Sequence, residues 1–467
     1  MDGERQHYNL TLAVLVLAGT AFAFQQTMVF PALAEFQREL GGTTAWVTWV
    51  LTAFLVSAAV TTPVLGKLGD QFGKERLLVI SLSIFLAGCI GAALAWNLWS
   101  LIAFRAISGA GGALFPLSFA IIRDEFPPER VQVGIGVMSA VFGVGGGFGI
   151  VLSGVIVDHL SWRLLFVLGS IPVALSLVLV HRYVPESPIR TPSRVDVPGA
   201  ALLSAALIVL MIGLTKGEDW GWGSPSVLGL GLLTLLLFVA WGFVELHVEE
   251  PMVDLAMLAH RPVLLTNVTT LISGFALFSC FVLVPAFVSA PESGGYGFGA
   301  SATVAGLYLL PSSVAMLFSG PLTGVVGRRF GPKWPLAAGM VIVAFAAFVL
   351  AAAHDEPINV VVASAALGFG VGAAFAALVS LIAANVDARE MGIATGMNTV
   401  IRLIGSVIGG QLSATLLTAL TIQGTTQPAE EAFTWAFGLA AAAALLAAAI
   451  SLSIARSPVL RRRLAEA

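Results

Sequence analysis

Gly66 to Leu78, with the sequence Gly-Lys-Leu-Gly-Asp-Gln-Phe-Gly-Lys-Glu-Arg-Leu-Leu, is a short charged stretch between two long apolar segments. Its three glycines permit a sharp turn and a close approach of helix ends. Its last positions carry charges of both signs, at Asp70, Lys74, Glu75 and Arg76. At a membrane surface, the N-terminus of a neighbouring helix stabilises such a carboxylate. The stretch therefore predicts a tight turn between two membrane-spanning helices that acts as a latch between moving parts.

The composition excludes a soluble globular protein. Of the 467 residues, 58% are hydrophobic and only 10% are charged, whereas about a quarter of a soluble domain is charged. The net charge of -3 says nothing about partners, and we expect no nucleic-acid partner. Cys89 and Cys280 both lie inside apolar segments, which favours small core residues over a disulfide or a metal site. We therefore predict an all-α polytopic membrane protein.

Apolar runs of about 20 residues, enough for a helix to cross roughly 30 Å of hydrocarbon, predict fourteen spans in a six, two and six arrangement. The first six lie near 10–33, 46–66, 77–97, 99–122, 131–157 and 162–182, the next two near 199–215 and 226–246, and the last six near 263–289, 302–326, 335–353, 358–384, 391–421 and 432–455. The predicted domains are a six-helix bundle at 1–185, a linker with two additional helices at 186–259, and a six-helix bundle with a cytoplasmic tail at 260–467.

The distribution of cations predicts the orientation. If the N-terminus is cytoplasmic, eighteen of the 23 Lys and Arg residues lie on the cytoplasmic side, as the positive-inside rule requires. The sequence therefore predicts a multi-pass protein of a bacterial inner membrane with both termini in the cytoplasm.

An internal repeat relates the two halves. The glycines and phenylalanine of Gly66–Gly73 recur in Gly324–Gly331, and Pro63 recurs as Pro321, 258 residues later in each case. Carriers with alternating access are built from such repeats, with the substrate held between them near the bilayer midplane. The repeat predicts a carrier of this kind.

The pattern Gly66-x-Leu68-x-Asp70-x-x-Gly73-Lys74 resembles a hallmark motif of the major facilitator superfamily of secondary transporters. The resemblance covers essentially the whole chain, and the fourteen spans are similar to the drug:proton antiporter branch. It implies two pseudo-symmetric six-helix bundles plus two extra central helices. It also implies that the Asp70 carboxylate meets a helix N-terminus of the opposite half and holds an outward-open state. The predicted latch residues are Gly66, Asp70, Gly73, Lys74, Arg76 and Asp124, with Glu125 as an alternative to Asp124.

Arg105 lies in the apolar fourth span, and Leu101-x-x-x-Arg105-x-x-x-Gly109 resembles a second motif of the family. The resemblance implies a role for Arg105 in proton coupling or substrate binding. A buried guanidinium normally faces the bundle interior and finds a partner, so the alternative is a static interhelical hydrogen bond.

Further candidate cavity residues are Gln25 and Gln26 in the first span and Asn398 and Arg402 in the thirteenth. The two glutamines have a purely structural alternative, which is to hold helices together. Arg402, if it faces Arg105 across the midplane, would favour an anionic or polar-headed ligand. Its alternative is to neutralise a helix end or a carboxylate outside the cavity.

The fifth span is rich in glycine, and small residues at such spacing allow close helix crossing. Its position before Ser161-Trp162-Arg163 resembles the antiporter motif of the family, although the proline of that motif is missing. The predicted hinge residues are Gly143, Gly147, Gly149 and Gly154.

Proton antiport commonly uses a membrane-embedded carboxylate with a raised pKa, and no carboxylate lies at the middle of a predicted span. Asp158, near the end of the fifth span, is the first candidate, Glu35 is the second, and Arg105 is an accessory group. His159 could share the role because its unperturbed pKa near 6.5 suits proton transfer.

These patterns together predict a secondary active transporter that exports small amphipathic compounds, such as drugs or toxic metabolites, in exchange for protons. A uniporter or importer of an anionic metabolite is the alternative within transport. A non-transporting receptor or scaffold is the alternative from another class. No Walker, zinc-ligand or nucleophile-elbow pattern is present, so we expect no enzyme activity, no metal and no cofactor. The expected partners are a small-molecule substrate, membrane lipid and protons, and the expected state is a monomer.

Overall fold

The computed structural model describes residues 8–29, 32–41, 44–187, 196–251, 253–422, 425 and 427–454. Its helices are α1 (Tyr8–Thr27), α2 (Leu33–Leu40), α3 (Thr44–Phe72), α4 (Lys74–Ala93), α5 (Leu98–Ser108), α6 (Leu114–Glu125), α7 (Pro128–His159), α8 (Arg163–Tyr183), α9 (Val197–Trp220), α10 (Pro225–His247), α11 (Leu255–Ala259), α12 (Arg261–Ser289), α13 (Ala302–Phe330), α14 (Lys333–Ala352), α15 (Pro357–Asn385), α16 (Met391–Ala419) and α17 (Glu430–Leu452). Within the described residues, the β-structure is the single isolated bridge between Thr421 and Pro428.

Fourteen of the described helices are long and apolar enough to cross a membrane, which confirms the predicted number of spans. One span is composite, because a 3-10 turn over Gly109–Ala113 joins α5 to α6. The short helices α2 and α11 are not spans. An all-helical architecture follows from the lipid environment, where a helix satisfies every backbone hydrogen bond within its own segment.

The prediction of a tight turn that begins at Gly66 is wrong in its extent. Helix α3 continues through Gly66 to Phe72, and α4 begins at Lys74, so that Gly73 alone connects them. Gly73 has a φ angle of 117°, which an L side chain would strain and glycine adopts freely. The last turns of α3 contain the charged residues Lys67 and Asp70 and are still helical. The helix is therefore longer than its apolar run.

By their contacts, the residues of the chain group into two units. The first unit comprises 1–131, 155–260 and 386–400, and the second comprises 132–154, 261–385 and 401–467. Helices α7 and α16 therefore each contribute to both units. The domain boundaries at 185 and 260 stay a prediction, since this grouping follows contacts and not the repeat in the sequence.

In the first unit, α8 packs on α1 and α4, and α9 packs on α3 and α10. The core near the end of α1 contains Phe36, Trp162 and Phe166, all fully buried. Much of α10 is exposed, including Leu232, Leu235 and Phe243, as expected for a helix that faces lipid.

In the second unit, α15 packs on α13 and α14, and α17 packs on α12 and α14. Glycine brings α14 and α15 together, since a Cβ at Gly339 would lie 2.7 Å from the Gly370 carbonyl oxygen. Lipid tails are as apolar as the side chains of the helices, so close packing at small residues contributes to helix association in a membrane.

Candidate functional site

The Asp70 carboxylate lies in the last turn of α3 and binds the first turn of α16. Its Oδ1 accepts a hydrogen bond from the Gly392 N–H at 3.2 Å, and its Oδ2 accepts one from the Ile393 N–H at 3.1 Å. Both N–H groups belong to a helix N-terminus, where the backbone offers donors without intrahelical partners and a positive dipole end. With only 2% of its surface exposed, Asp70 makes this contact away from water.

Two glycines make the contact possible. A Cβ at Gly66 would lie 2.7 Å from the Gly392 carbonyl oxygen, and a Cβ at Gly392 would lie 2.6 Å from the Gly66 carbonyl oxygen. Because neither residue has a side chain, α3 approaches the start of α16 closely enough for Asp70 to reach the two N–H groups. Gly66 therefore serves helix packing, about two turns before the connection at Gly73.

Lys74 links Asp70 to the end of α6. Its Nζ lies 3.8 Å from Asp70 Oδ1 and forms a shorter ion pair with Asp124, and both side chains are fully buried. Ser187 Oγ donates a further hydrogen bond to Asp124 Oδ2. A buried Lys between two carboxylates is compensated in charge, and loss of Lys74 would leave both buried carboxylates without their cation.

Arg76 lies outside this buried network. Its side chain is exposed, and its backbone N–H donates to Glu186 Oε2 at 3.3 Å. The structure thus brings Gly66, Asp70, Gly73, Lys74 and Asp124 together, and it places the Arg76 guanidinium at the surface.

Glu186 is a residue of this region that the sequence did not single out. Its Oε1 accepts from the Glu75 N–H at 3.2 Å, so the carboxylate binds the N-terminus of α4. A Cβ at Gly73 would collide with this carboxylate. Gly73 is therefore required both for its φ angle and for the space that Glu186 occupies. The available signal was an acid in Pro185-Glu186-Ser187, directly after the sixth span.

Arg123 is the second residue that the sequence did not single out for this region. Its Nη2 donates to the Val386 carbonyl oxygen at 2.6 Å, and its Nη1 donates to the Asp387 carbonyl oxygen at 3.3 Å. These carbonyls directly follow α15, where a cation is favoured by the negative end of the helix dipole. Arg123 and Asp70 thus bind the two ends of the segment 386–393.

Arg105 and Gln25 form a second buried polar group in the first unit. Arg105 is 1% exposed, and its guanidinium lies over the Phe54 ring at 4.2 Å. Its Nε donates to the Val50 carbonyl oxygen at 3.3 Å and its Nη1 to the Gln25 carbonyl oxygen at 3.4 Å.

Three polar atoms of this pair are unsatisfied. Among the described residues, Arg105 Nη2 and both side-chain polar atoms of Gln25 have no hydrogen-bond partner. Buried polar groups normally have partners, and a charged group without one is costly. The pair can therefore bind a polar or anionic group. Gln26 is partly buried beside it on α1.

Asn398 and Arg402 lie one turn apart on α16 but group with different units. Asn398 is buried in the first unit. Arg402 belongs to the second unit, where its guanidinium lies over the Phe375 ring at 4.4 Å. A position of Arg402 opposite Arg105 stays a prediction, since the two residues belong to separate units.

The glycines of α7 pack against α13. A Cβ at Gly147 would collide with the Ser313 side chain, and a Cβ at Gly154 would lie 3.2 Å from Thr303 Oγ1. Gly149 is buried, whereas the surroundings of Gly143 lie outside the described residues. Helix α7 is continuous over its 32 residues, and a hinge motion at these glycines stays a prediction.

The predicted proton carriers remain untested. Asp158 lies near the end of α7, and its side chain is outside the described residues. Glu35 lies on α2 and pairs with Arg38, with Oε1 2.5 Å from Nη2. His159 is exposed at the last position of α7.

Comparison with known proteins identifies relatives along most of the chain. A family model described as "Major Facilitator Superfamily" matches residues 15–297 and 268–467. The chain is similar to "Multidrug resistance protein 3" of Bacillus subtilis (strain 168), with 30% identity over 86% of this chain and 78% of the relative. It is also similar to "Tetracenomycin C resistance and export protein" of Streptomyces glaucescens, with 27% identity over 87% of this chain and 75% of the relative.

A solved structure has the same fold. The crystal structure of the human organic anion transporter MFSD10 (TETRAN) superposes with a TM-score of 0.67, and the match covers 95% of this chain and 99% of that one. At 15% sequence identity, this likeness concerns the fold alone.

Proposed function

This chain belongs to the major facilitator superfamily of membrane transporters, and on that premise we propose that it exports small amphipathic compounds across a bacterial inner membrane. The printed names of the two relatives, a multidrug resistance protein and a tetracenomycin C resistance and export protein, support export of drug-like molecules. The fourteen spans fit the drug:proton antiporter branch of the family. Members of this family are transporters, so we assign the chain no enzymatic role.

The observation that carries the proposed mechanism is the contact of Asp70 with the first turn of α16. Residues 391–400 of α16 group with the first unit and 401–419 with the second, so this helix belongs to both. Release of the Gly392 and Ile393 N–H groups from Asp70 frees the start of α16 from α3. In the proposed cycle, this contact holds the outward-open state and opens during alternating access.

We assign proton coupling to Asp158 first and to Glu35 second, with Arg105 as an accessory group. The support is the position of Asp158 in the sequence, next to the last residue of the glycine-rich α7. In this proposal the proton gradient supplies the energy for transport, and no cofactor is required.

The test of this assignment uses proteoliposomes with an imposed pH gradient and ethidium as the transported probe. The expected result is faster ethidium transport with the gradient in the wild type and a loss of that acceleration in Asp158→Asn. If the wild type ignores the gradient, the protein is a uniporter. If Asp158→Asn keeps full coupling, the carrier is another group, and Glu35→Gln is the next variant.

The proposed topology places both termini in the cytoplasm, and the proposed state is a monomer that exchanges a small-molecule substrate and protons within the lipid bilayer. The excess of Lys and Arg on one side of the predicted spans supports this orientation. Cysteine labelling of a residue in the loop 221–224, which this topology places outside the cell, checks it directly.

A second candidate function is transport of an anionic metabolite, either as a uniporter or as an importer. The specific observation in its favour is the unsatisfied Nη2 of the buried Arg105. Direct transport of labelled probes distinguishes the two candidates, because an anionic substrate predicts transport of an amphipathic anion such as taurocholate and no transport of the cation ethidium. A receptor or scaffold predicts no transport of either probe.

A further inference from the structure

His354 follows α14 and is held in one orientation. Only 5% of its surface is exposed, and its ring packs edge-on against Phe287 with a centroid distance of 4.8 Å. Phe287 in turn packs against Phe433 of α17 at 5.4 Å. The imidazole is therefore fixed by packing between α12, α14 and α17, as a preorganised ligand requires.

The hydrogen bonds of His354 decide where its lone pair points. Its Nδ1 lies 2.8 Å from the Leu350 carbonyl oxygen. A carbonyl oxygen only accepts, so Nδ1 carries the hydrogen and the neutral ring has its lone pair on Nε2. Metal-binding histidines characteristically donate their other N–H to a carbonyl or carboxylate in this way.

Two carboxylates lie near the His354 ring. Glu430 Oε1, at the start of α17, lies 2.9 Å from Nε2. Ligand atoms of His354, Asp355 and Glu430 all lie within 4.8 Å of one another. Two lone pairs at the His354–Glu430 distance repel each other unless a positive charge lies between them. That charge is either a proton on Nε2 or a metal ion.

The third ligand favours the metal ion. One proton on Nε2 joins His354 to Glu430 alone, whereas a divalent cation also accepts the nearby Asp355 as a third donor. The loops at this end of the second unit, 290–302, 353–356 and 420–429, contain no Lys or Arg that could take the place of the cation. In a tetrahedral zinc site with bonds of about 2.0–2.2 Å, ligand atoms stand about 3.4 Å apart. The half-exposed Glu430 and the exposed Asp355 can reach this spacing by side-chain rotation.

We propose that His354, Asp355 and Glu430 form a binding site for a divalent transition-metal ion, with Zn²⁺ as the best match to one imidazole nitrogen and two carboxylates. Nitrogen and oxygen ligands together favour Zn²⁺ over Mg²⁺ and Ca²⁺, which prefer oxygen alone. With three protein ligands, the fourth position is available for water. The ion clamps the end of α14 to the start of α17, and this role is independent of the proposed transport function.

Equilibrium dialysis of the full chain, purified with a tag free of histidine and stripped with EDTA, tests the site with Zn²⁺ alone. The expected result is one Zn²⁺ per chain by elemental analysis and a higher thermal unfolding temperature with Zn²⁺ than without it. His354→Gln and Glu430→Gln are expected to weaken Zn²⁺ binding at least about tenfold, as loss of a ligand or its support does in other zinc sites. Zinc-edge X-ray absorption of the wild type is expected to show one imidazole ligand.

Glu431→Gln is the matched control, because it removes the same charge from the adjacent position outside the cluster, and it is expected to bind Zn²⁺ as the wild type does. Substitution of the buried His354 can disturb folding by itself. Glu430→Gln is therefore the second test variant, because the Glu430 side chain is half exposed. Zn²⁺ binding that survives both cluster substitutions would overturn the proposal. So would a wild type that ignores Zn²⁺ and gains stability only on acidification, since a proton alone would then join His354 to Glu430.

Discussion

Asp70→Asn removes the charge that binds the first turn of α16 and changes little else in shape. The carboxylate accepts two hydrogen bonds, from the Gly392 and Ile393 N–H groups. An asparagine keeps one acceptor oxygen and turns an NH2 donor toward the other N–H, where it cannot form a hydrogen bond. We therefore expect the contact between α3 and α16 to weaken while the helices still insert.

The magnitude follows from the bonds lost. A hydrogen bond to a charged group contributes about 1.5–3 kcal/mol, and the remaining bond changes from charged to neutral. One offset is that the removed charge no longer needs desolvation and Lys74 keeps Asp124 as its partner. We take about 2 kcal/mol as the net loss, which corresponds to about a thirtyfold larger open fraction at about 1.4 kcal/mol per tenfold.

Hydrogen–deuterium exchange of the peptide that spans 388–397 measures this opening directly. In the variant, the Gly392 and Ile393 amides are expected to exchange about thirtyfold faster, and transport is expected to be nearly abolished. Asp196→Asn is the matched control, because Asp196 Oδ1 accepts from the Gly199 N–H at the start of α9, so the substitution removes an N-terminal carboxylate from a different helix. Unchanged exchange at 388–397, or normal efflux by a well-expressed Asp70→Asn protein, would refute this account of the latch.

Three further substitutions test other parts of the account. Gly66→Ala places a Cβ 2.7 Å from the Gly392 carbonyl oxygen, so we expect overpacking to cost about 1–3 kcal/mol of stability and transport to be lost. Gly229→Ala is the control, because its Cβ meets nothing within 4 Å, and we expect it to leave transport unchanged. Glu186→Gln removes the charge at the N-terminus of α4 and is expected to cost about 1 kcal/mol, seen as faster amide exchange at 74–77; equal exchange would remove Glu186 from the latch. Arg105→Lys keeps the charge but loses the planar fork of donors, so its transport rate is expected to fall as far as that of Arg105→Ala; a fully active Lys variant would show that charge alone suffices.

The number of spans was predictable because it depends on local composition. A run of about 20 apolar residues has few alternatives to a membrane helix, and fourteen such runs became fourteen helices. Helix ends were less predictable, since α3 carries Lys67 and Asp70 in helical turns beyond its apolar run. Hydropathy locates the hydrocarbon boundary and not the last hydrogen-bonded turn.

The charged residues of the latch were predictable from the sequence, but their partners were not. Asp70 and Lys74 stand out as charges beside apolar segments, and the structure buries both. The partners of Arg123 and Glu186 are remote in sequence. Arg123 is separated from Val386 by 263 positions, and Glu186 is separated from Glu75 by 111 positions. A single sequence indicates that a charge needs a partner but does not identify the partner. Arg76 was therefore expected in the latch, whereas the structure places Glu186 and Arg123 there.

The central claim is that this protein is a carrier that exports amphipathic compounds, and counterflow in proteoliposomes tests it most directly. Liposomes loaded with unlabelled ethidium are diluted into a trace of labelled ethidium, and the label inside is followed with time. The account predicts a transient accumulation of label above equilibrium with the wild type, which is lost in Asp70→Asn. Accumulation no greater than in liposomes without protein, for ethidium and for the anionic probe taurocholate alike, would contradict it.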